Sequence, residues 1–300
     1  MTPPQLRHAR TAVLDIAYLE SGEPQGAPVL LMHGFPYDVH TYAEVAPLLA
    51  AQGCRVIVPY LRGYGPTRFL QADTPRSGEQ AAIGADLLGL MDALAIPRAV
   101  LAGYDWGGRG ACVAAALWPQ RCAGLVTANG YAIQNIARAM EPARPEIEQR
   151  LWYQYYFHNQ RGHDALVKDR RALCRLLWKL WSPTWAFDEA TFERSAQAFD
   201  NPDFVEVVIH SYRHRFGLVP GDPALADVEA RLAPQPKITV QTVVLEGAAS
   251  GIYDVGGPAK DAGMFTGPRE SRVIAGVGHN VPQEAPREFA AAVLALVKKD

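Results

Sequence analysis

The chain has 300 residues, 49% of them hydrophobic and 20% charged, with 29 Lys+Arg set against 31 Asp+Glu. These proportions exclude a disordered, collagenous or coiled-coil protein and leave room for one large core or two modest domains. A formal charge of −2 removes the electrostatic case for nucleic acid or an anionic membrane surface, so a small molecule is the expected partner.

Short β-rich apolar runs come first, at 13–21, 29–34, 55–61, 99–104 and 125–130. Helical patterns lie between them, notably 79–95, which ends just before Ile96-Pro97. That alternation predicts an α/β fold with a mostly parallel sheet. From about residue 132 the composition turns to Trp, Tyr and Arg, and strand patterns vanish until 242–246 and 271–276; a closing helix is expected over 284–299. The expected division is a core of 1–131 and 237–300, with a helical cap and return linker at 132–236. Cys54, Cys112, Cys122 and Cys174 are scattered without a CxxC pair, so reduced, buried thiols are expected rather than a zinc site or disulfides. The N-terminus lacks the apolar run of a signal peptide and no stretch reaches about 18 apolar residues, so a cytoplasmic location is expected.

The stretch AGYDWGGRG (102–110) joins a strand end to an Ala-rich helix, with Gly103 and Gly107 flanking Asp105. So tight a turn needs glycine neighbours, which is the logic of the nucleophile elbow, here with Asp in place of Ser. A competing reading makes Asp105 a simple helix cap. HGFP (33–36) would bring the Phe35 N–H beside the elbow, where it and the Trp106 N–H could bind an oxyanion. His279, in GVGHNVPQEAP (276–286), lies on a loop at the same sheet edge and suits a general base.

Together HGFP, RGYGPT (62–67), GYDWGG and GVGHNVPQE resemble the epoxide hydrolase and dehalogenase branch of the α/β-hydrolase superfamily. Both chemistries begin with attack by an Asp carboxylate on carbon and end with hydrolysis of the resulting ester by His-activated water. A departing halide needs only N–H donors, whereas an epoxide oxygen needs a proton from an acid such as tyrosine. WYQYYFHNQRG (152–162) is similar to the epoxide hydrolase cap pattern and implies Tyr153 as that acid, although spacing alone admits Tyr155 or Tyr156. HSYRHR (210–215) resembles the second cap motif and implies Tyr212 as its partner. Phe35 stands where haloalkane dehalogenases commonly carry a halide-binding Asn.

The expected substrate is therefore a small apolar epoxide, opened to a vicinal diol without metal or organic cofactor. Two alternatives stand beside it. One is a dehalogenase, chiefly of small haloacids held by arginines such as Arg109, a residue that otherwise reads as surface or structural. The other is a non-catalytic ligand-binding member, because the family's triad acid is absent: Ser250 and Asn129 occupy its two usual positions. Asp254 is the expected substitute, with a turn-capping role as its competitor, and Glu246 within the strand is less convincing.

Overall fold

In this computed structural model, residues 4–297 are described. The chain opens with β1 (Gln5–Arg10) and β2 (Leu14–Gly22), followed by β3 (Pro28–Met32), α1 (Val45–Ala50), β4 (Arg55–Pro59) and the short β5 (Arg68–Phe69). Then come α2 (Gln80–Ala93), β6 (Ala99–Gly103), α3 (Asp105–Leu117) and β7 (Cys122–Ala128). A helical insertion holds α4 (Pro145–Arg150), α5 (Trp152–His158), α6 (Gln160–Trp181), α7 (Glu189–Ala196), α8 (Phe204–His214) and α9 (Ala226–Leu232). The chain returns through β8 (Thr242–Gly247) and β9 (Arg269–Ile274) to α10 (Val281–Glu284) and α11 (Pro286–Leu294).

The sheet order is β1-β2-β4-β3-β6-β7-β8-β9, with β5 on β2. Pairing is parallel from β4 to β9 and antiparallel at β1, β2 and β5. The central strands PVLLM, RVIVP and AVLAG are almost wholly buried, the near-continuous apolar runs of strands covered on both faces. The edges carry charge instead, QLRHAR in β1 and RESRVI in β9, which discourages pairing with another sheet.

Strand β1 was not expected, because its polar sequence hides an alternation with no core to face. The closing helix is divided rather than continuous: Ala285 adopts φ −140° and ψ 62° ahead of Pro286, whose ring disfavours a helical predecessor. The expected residues 298 and 299 lie outside the described residues. Helix α2 stops at Ala93, since Ala95 turns left-handed at φ 52°. All four cysteines are buried free thiols. No helix among the described residues is long and apolar enough to cross a membrane.

Candidate active site

Asp105 opens α3, two residues past the end of β6, at φ 50°, a left-handed conformation that residues other than glycine rarely adopt. The glycines beside it are required by contact. A Cβ on Gly107 would lie 2.0 Å from the Met32 carbonyl oxygen, and one on Gly103 would lie 2.6 Å from the Gly107 carbonyl carbon. The bend therefore presses α3 onto β3 and pushes the Asp105 side chain past the strand ends. Its Oδ1 accepts the Phe35 N–H at 2.9 Å and the Trp106 N–H at 2.7 Å. A cap would bond only within its own helix, so the Phe35 contact marks a different use of this carboxylate.

Oδ2 faces His279 Nε2 at 3.5 Å. Burial alone would raise the Asp105 carboxyl, but the facing His279, the charge of Arg109 and the Phe35 amide outweigh it and hold the group below the ordinary carboxylate range. Asp105 is thus held as an anion with one oxygen tied down and the other turned toward the imidazole.

The Phe35 amide is aimed by its neighbour. Leu61 N–H donates to His33 Nε2 at 3.1 Å, so the His33 proton sits on Nδ1 and is donated to the Gly34 carbonyl at 3.0 Å. Complete burial lowers His33 to about 4, which keeps it neutral and in that tautomer. In RGYGPT, Arg62 forms a two-pronged pair with Asp86 at 2.6 and 2.7 Å, and Thr67 Oγ1 accepts the Ala17 N–H; both tie the loop to its surroundings.

Trp181 and Ser182, at the end of α6, seat the His279 loop. The His279 N–H bonds the Trp181 carbonyl at 3.2 Å and Ser182 Oγ at 3.0 Å. Glu284 binds Ser182 Oγ, the Gly278 N–H and the Asn280 N–H, which makes it a positioning carboxylate that spacing did not suggest. His279 itself is fully buried, and among the described residues its Nδ1 has no hydrogen-bond partner.

Asp254 does not fill that role, which corrects the expectation. Its two oxygens bind Arg144 at 2.6 Å and Arg150 at 2.7 Å, and its side chain is 50% exposed. Two arginines of the helical insertion draw it outward. Ser250 Oγ accepts the Ile252 and Tyr253 amides, and Glu246 Oε2 accepts those of Gly256 and Gly257. Both shape the loop after β8, and neither meets the imidazole. Asn129 lies at φ 68°, its N–H on the Leu245 carbonyl.

The insertion brings two phenols over the elbow. Tyr153 (α5) and Tyr212 (α8) are buried, with ring centroids 5.5 Å apart and edge to face. The Tyr212 ring lies 6.0 Å from Trp106 and 5.4 Å from Phe35. Spacing left three tyrosines open on α5. Tyr155 is 37% exposed and bonds Glu148, while Tyr156 packs half-buried against Trp152, so Tyr153 is the one turned inward. Burial raises both inner phenols well above the ordinary value, with added repulsion from Asp105.

Tyr253, which the sequence reading did not single out, also borders the site, its ring 6.0 Å from His279 and its phenol raised by burial and by Asp105. Nothing in its spacing signals this, because the loop that carries it is shaped by Glu246 and Ser250. Arg109 is not a surface residue: it is buried and donates to the Ala132 carbonyl at 3.3 Å.

Two other features lie apart from this chemistry. A surface cleft of about 440 Å³, lined by His40, Glu44, Trp185, Asp188 and Gln283, holds none of these residues. Glu79, His214 and Glu229 bring potential metal-ligand atoms within 4.8 Å of one another, but the carboxylates already accept hydrogen bonds from Asp222, Gln80 and Ala81.

An acidic elbow, a paired-amide cradle and a late histidine on one edge of a mostly parallel sheet define an α/β hydrolase. The family model for the α/β hydrolase fold matches residues 27–286, and the chain belongs to that family. A solved structure from Klebsiella pneumoniae, described as a candidate epoxide hydrolase, is 47% identical, with 97% of each chain covered and a TM-score of 0.95. Epoxide hydrolase A of Mycobacterium tuberculosis is 26% identical across 98% of this chain and 97% of that protein. A haloalkane dehalogenase of Mycobacterium marinum is 33% identical, over 40% of each chain.

Proposed function

We propose that this hydrolase opens an epoxide to a vicinal diol through an ester on Asp105, with residues 132–236 acting as a cap over a core of 1–131 and 237–300. Oδ1 rests in the cradle of the Phe35 and Trp106 amides, so Oδ2 is the attacking atom. It bonds to a ring carbon, the carbon–oxygen bond of the ring breaks, and the leaving alkoxide takes a proton from Tyr153 or Tyr212. Water then attacks the ester carbonyl carbon while His279 accepts its proton. Oδ1, now the carbonyl oxygen, becomes the oxyanion that the two amides hold. The alcohol departs, the carboxylate is restored, and the proton on His279 returns to the phenolate.

The single observation that carries this reading is the pair of buried phenols, packed on each other and, through Tyr212, on the Phe35 and Trp106 rings beside the carboxylate, since an epoxide oxygen requires an acid and a halide does not. Relatives named epoxide hydrolases support it. Single turnover of a styrene-type epoxide in ¹⁸O-water tests it. The first diol is expected unlabelled, with the label in Asp105; label in that diol overturns the ester route, and halide release from fluoroacetate or chloroalkanes without epoxide opening overturns the substrate class.

A further inference from the structure

The surface cleft of about 440 Å³ has the size of a small-molecule site and lies where the core meets the helical insertion. His40 and Glu44 come from the segment between β3 and α1, Gln283 from α10, Trp185 and Asp188 from the link between α6 and α7, and Arg194 from α7 itself. Acceptors prevail among its polar groups. Glu44 makes no cap bond to the helix it precedes, and Asp188 bonds only Thr191, whose N–H it accepts at 2.8 Å; neither carboxylate forms an ion pair among the described residues. His40 Nδ1 lies 2.6 Å from Oδ2 of Asp38, which is 1% exposed. A carboxylate only accepts, so the proton sits on Nδ1 and the neutral ring keeps Nε2 as an acceptor. Against these stand Arg194 and the amide nitrogen of Gln283, whose oxygen already accepts Asn280 Nδ2 at 2.6 Å. Two carboxylates and one guanidinium leave the cleft with negative charge in excess.

Trp185 adds an aromatic wall, and that wall leads inward. Its ring stacks on Trp178 at 5.4 Å, Trp178 stacks on Tyr37 at 4.6 Å, and the Tyr37 ring lies 6.4 Å from that of His279. Trp178 Nε1 also donates to the Pro36 carbonyl at 2.7 Å, beside the Phe35 cradle. The backbone runs the same way. The Trp185 N–H bonds the carbonyl of Ser182, whose Oγ accepts the His279 N–H; Thr184 Oγ1 donates to the Gly276 carbonyl; and Gln283 holds Asn280. Both walls of the cleft are thus the supports of the loop that carries His279.

We propose that this cleft binds an aryl-bearing organic ammonium as an effector, its ring on Trp185 and its cationic nitrogen between Glu44 and Asp188, and that occupancy acts on the His279 loop. An aromatic face with carboxylates nearby attracts a cation through both its quadrupole and charge pairing. The inference goes beyond epoxide opening and needs no knowledge of the substrate.

The test uses calorimetry with three indoles of similar shape: tryptamine as the cation, indole-3-acetamide as the neutral form and indole-3-acetate as the anion. Tryptamine is expected to bind about tenfold more tightly than the amide, the worth of a cation on an aromatic face with carboxylates nearby, and the acetate more weakly still. Glu44→Gln combined with Asp188→Asn should erase that order; both side chains are exposed, and Asn still caps α7. The His279 imidazole resonance, identified by its loss in His279→Gln, should shift during the tryptamine titration with the calorimetric midpoint, and should stay still in the double variant. Equal affinity for the three indoles, or a preference that survives the double variant, overturns the cation site. A resonance that moves in the double variant as well puts the ligand in the buried pocket and also overturns it. Selective binding that leaves the resonance unmoved at saturation overturns the effector role and leaves the site.

Discussion

Tyr153 and Tyr212 are chemically alike but not equivalent in surroundings. Arg215 lies on the Tyr212 ring, whereas the Tyr153 hydroxyl accepts the Gln154 amide at 3.3 Å. With both phenols raised well above their ordinary value, ring opening should hold its rate beyond pH 10 and fall only as a phenol ionises. Asp105, depressed, stays ionised throughout that range. Tyr153→Phe and Tyr212→Phe should each slow ester formation by about 10²–10⁴-fold. Ester hydrolysis, which does not use the phenols as acids, should change far less; single-turnover quench separates the two steps. Equal slowing of both would mean that the rings shape the pocket rather than supply a proton.

The other end of the reaction depends on a single atom, His279 Nδ1, which among the described residues meets no acceptor of the kind that fixes the tautomer and stabilises the imidazolium. The proposed ester should therefore accumulate during turnover and be visible by intact mass. Ser250 sits in the turn whose Ala249 N–H bonds the Val277 carbonyl, two residues before His279. Ser250→Asp should accelerate ester hydrolysis by roughly 10–100-fold with little effect on its formation. No change would locate the slow step elsewhere.

Among the elements, those with a strong local period were legible: the buried strands of the sheet centre, α2, and the strand–turn–helix around Asp105. The glycine rule at Gly103 and Gly107 and the HGFP turn could be read because sterics leave those positions few options. The seat of Asp254 could not. It depends on Arg144 and Arg150 more than a hundred residues earlier in the chain, and no local pattern encodes an ion pair across such a separation. Tyr253 and Glu284 escaped for the same reason, since each acquires its role from a loop folded by side chains elsewhere. Because both Asp254 pairs are solvent-exposed, Asp254→Ala should leave ester hydrolysis unchanged and shift the thermal midpoint little. A large loss of hydrolysis in that variant would return Asp254 to the histidine.

At the level of the whole molecule, the seam between core and helical insertion holds a carboxyl of unusual kind. Glu79, just ahead of α2, accepts the Asp222 N–H on both oxygens at 3.0 and 3.1 Å and lies 3.4 Å from His214 Nε2. Burial raises it to about 7; Glu229 adds to the rise, while the Asp222 amide and Arg62 oppose it. His214 cannot supply a balancing charge near neutrality, because burial and then Arg215 lower it. Since the folded value lies above the unfolded one, the protonated Glu79 stabilises the fold fully below about pH 4.5, and that contribution is lost as pH rises through about 7. Ionisation then leaves a carboxylate between core and insertion, beside Glu229, which burial pushes in the same direction. The thermal midpoint should fall from about pH 4.5 to about 7.5 and level off above that, by an amount equivalent to roughly 1–2 kcal/mol after discounting for screening at a partly solvated seam. Glu79→Gln keeps an acceptor for Asp222 but has no proton to lose, so its midpoint should vary less over that range and exceed the wild type on the alkaline side. Calorimetry across the interval decides it: parallel curves for the two proteins would assign the pH dependence to another group.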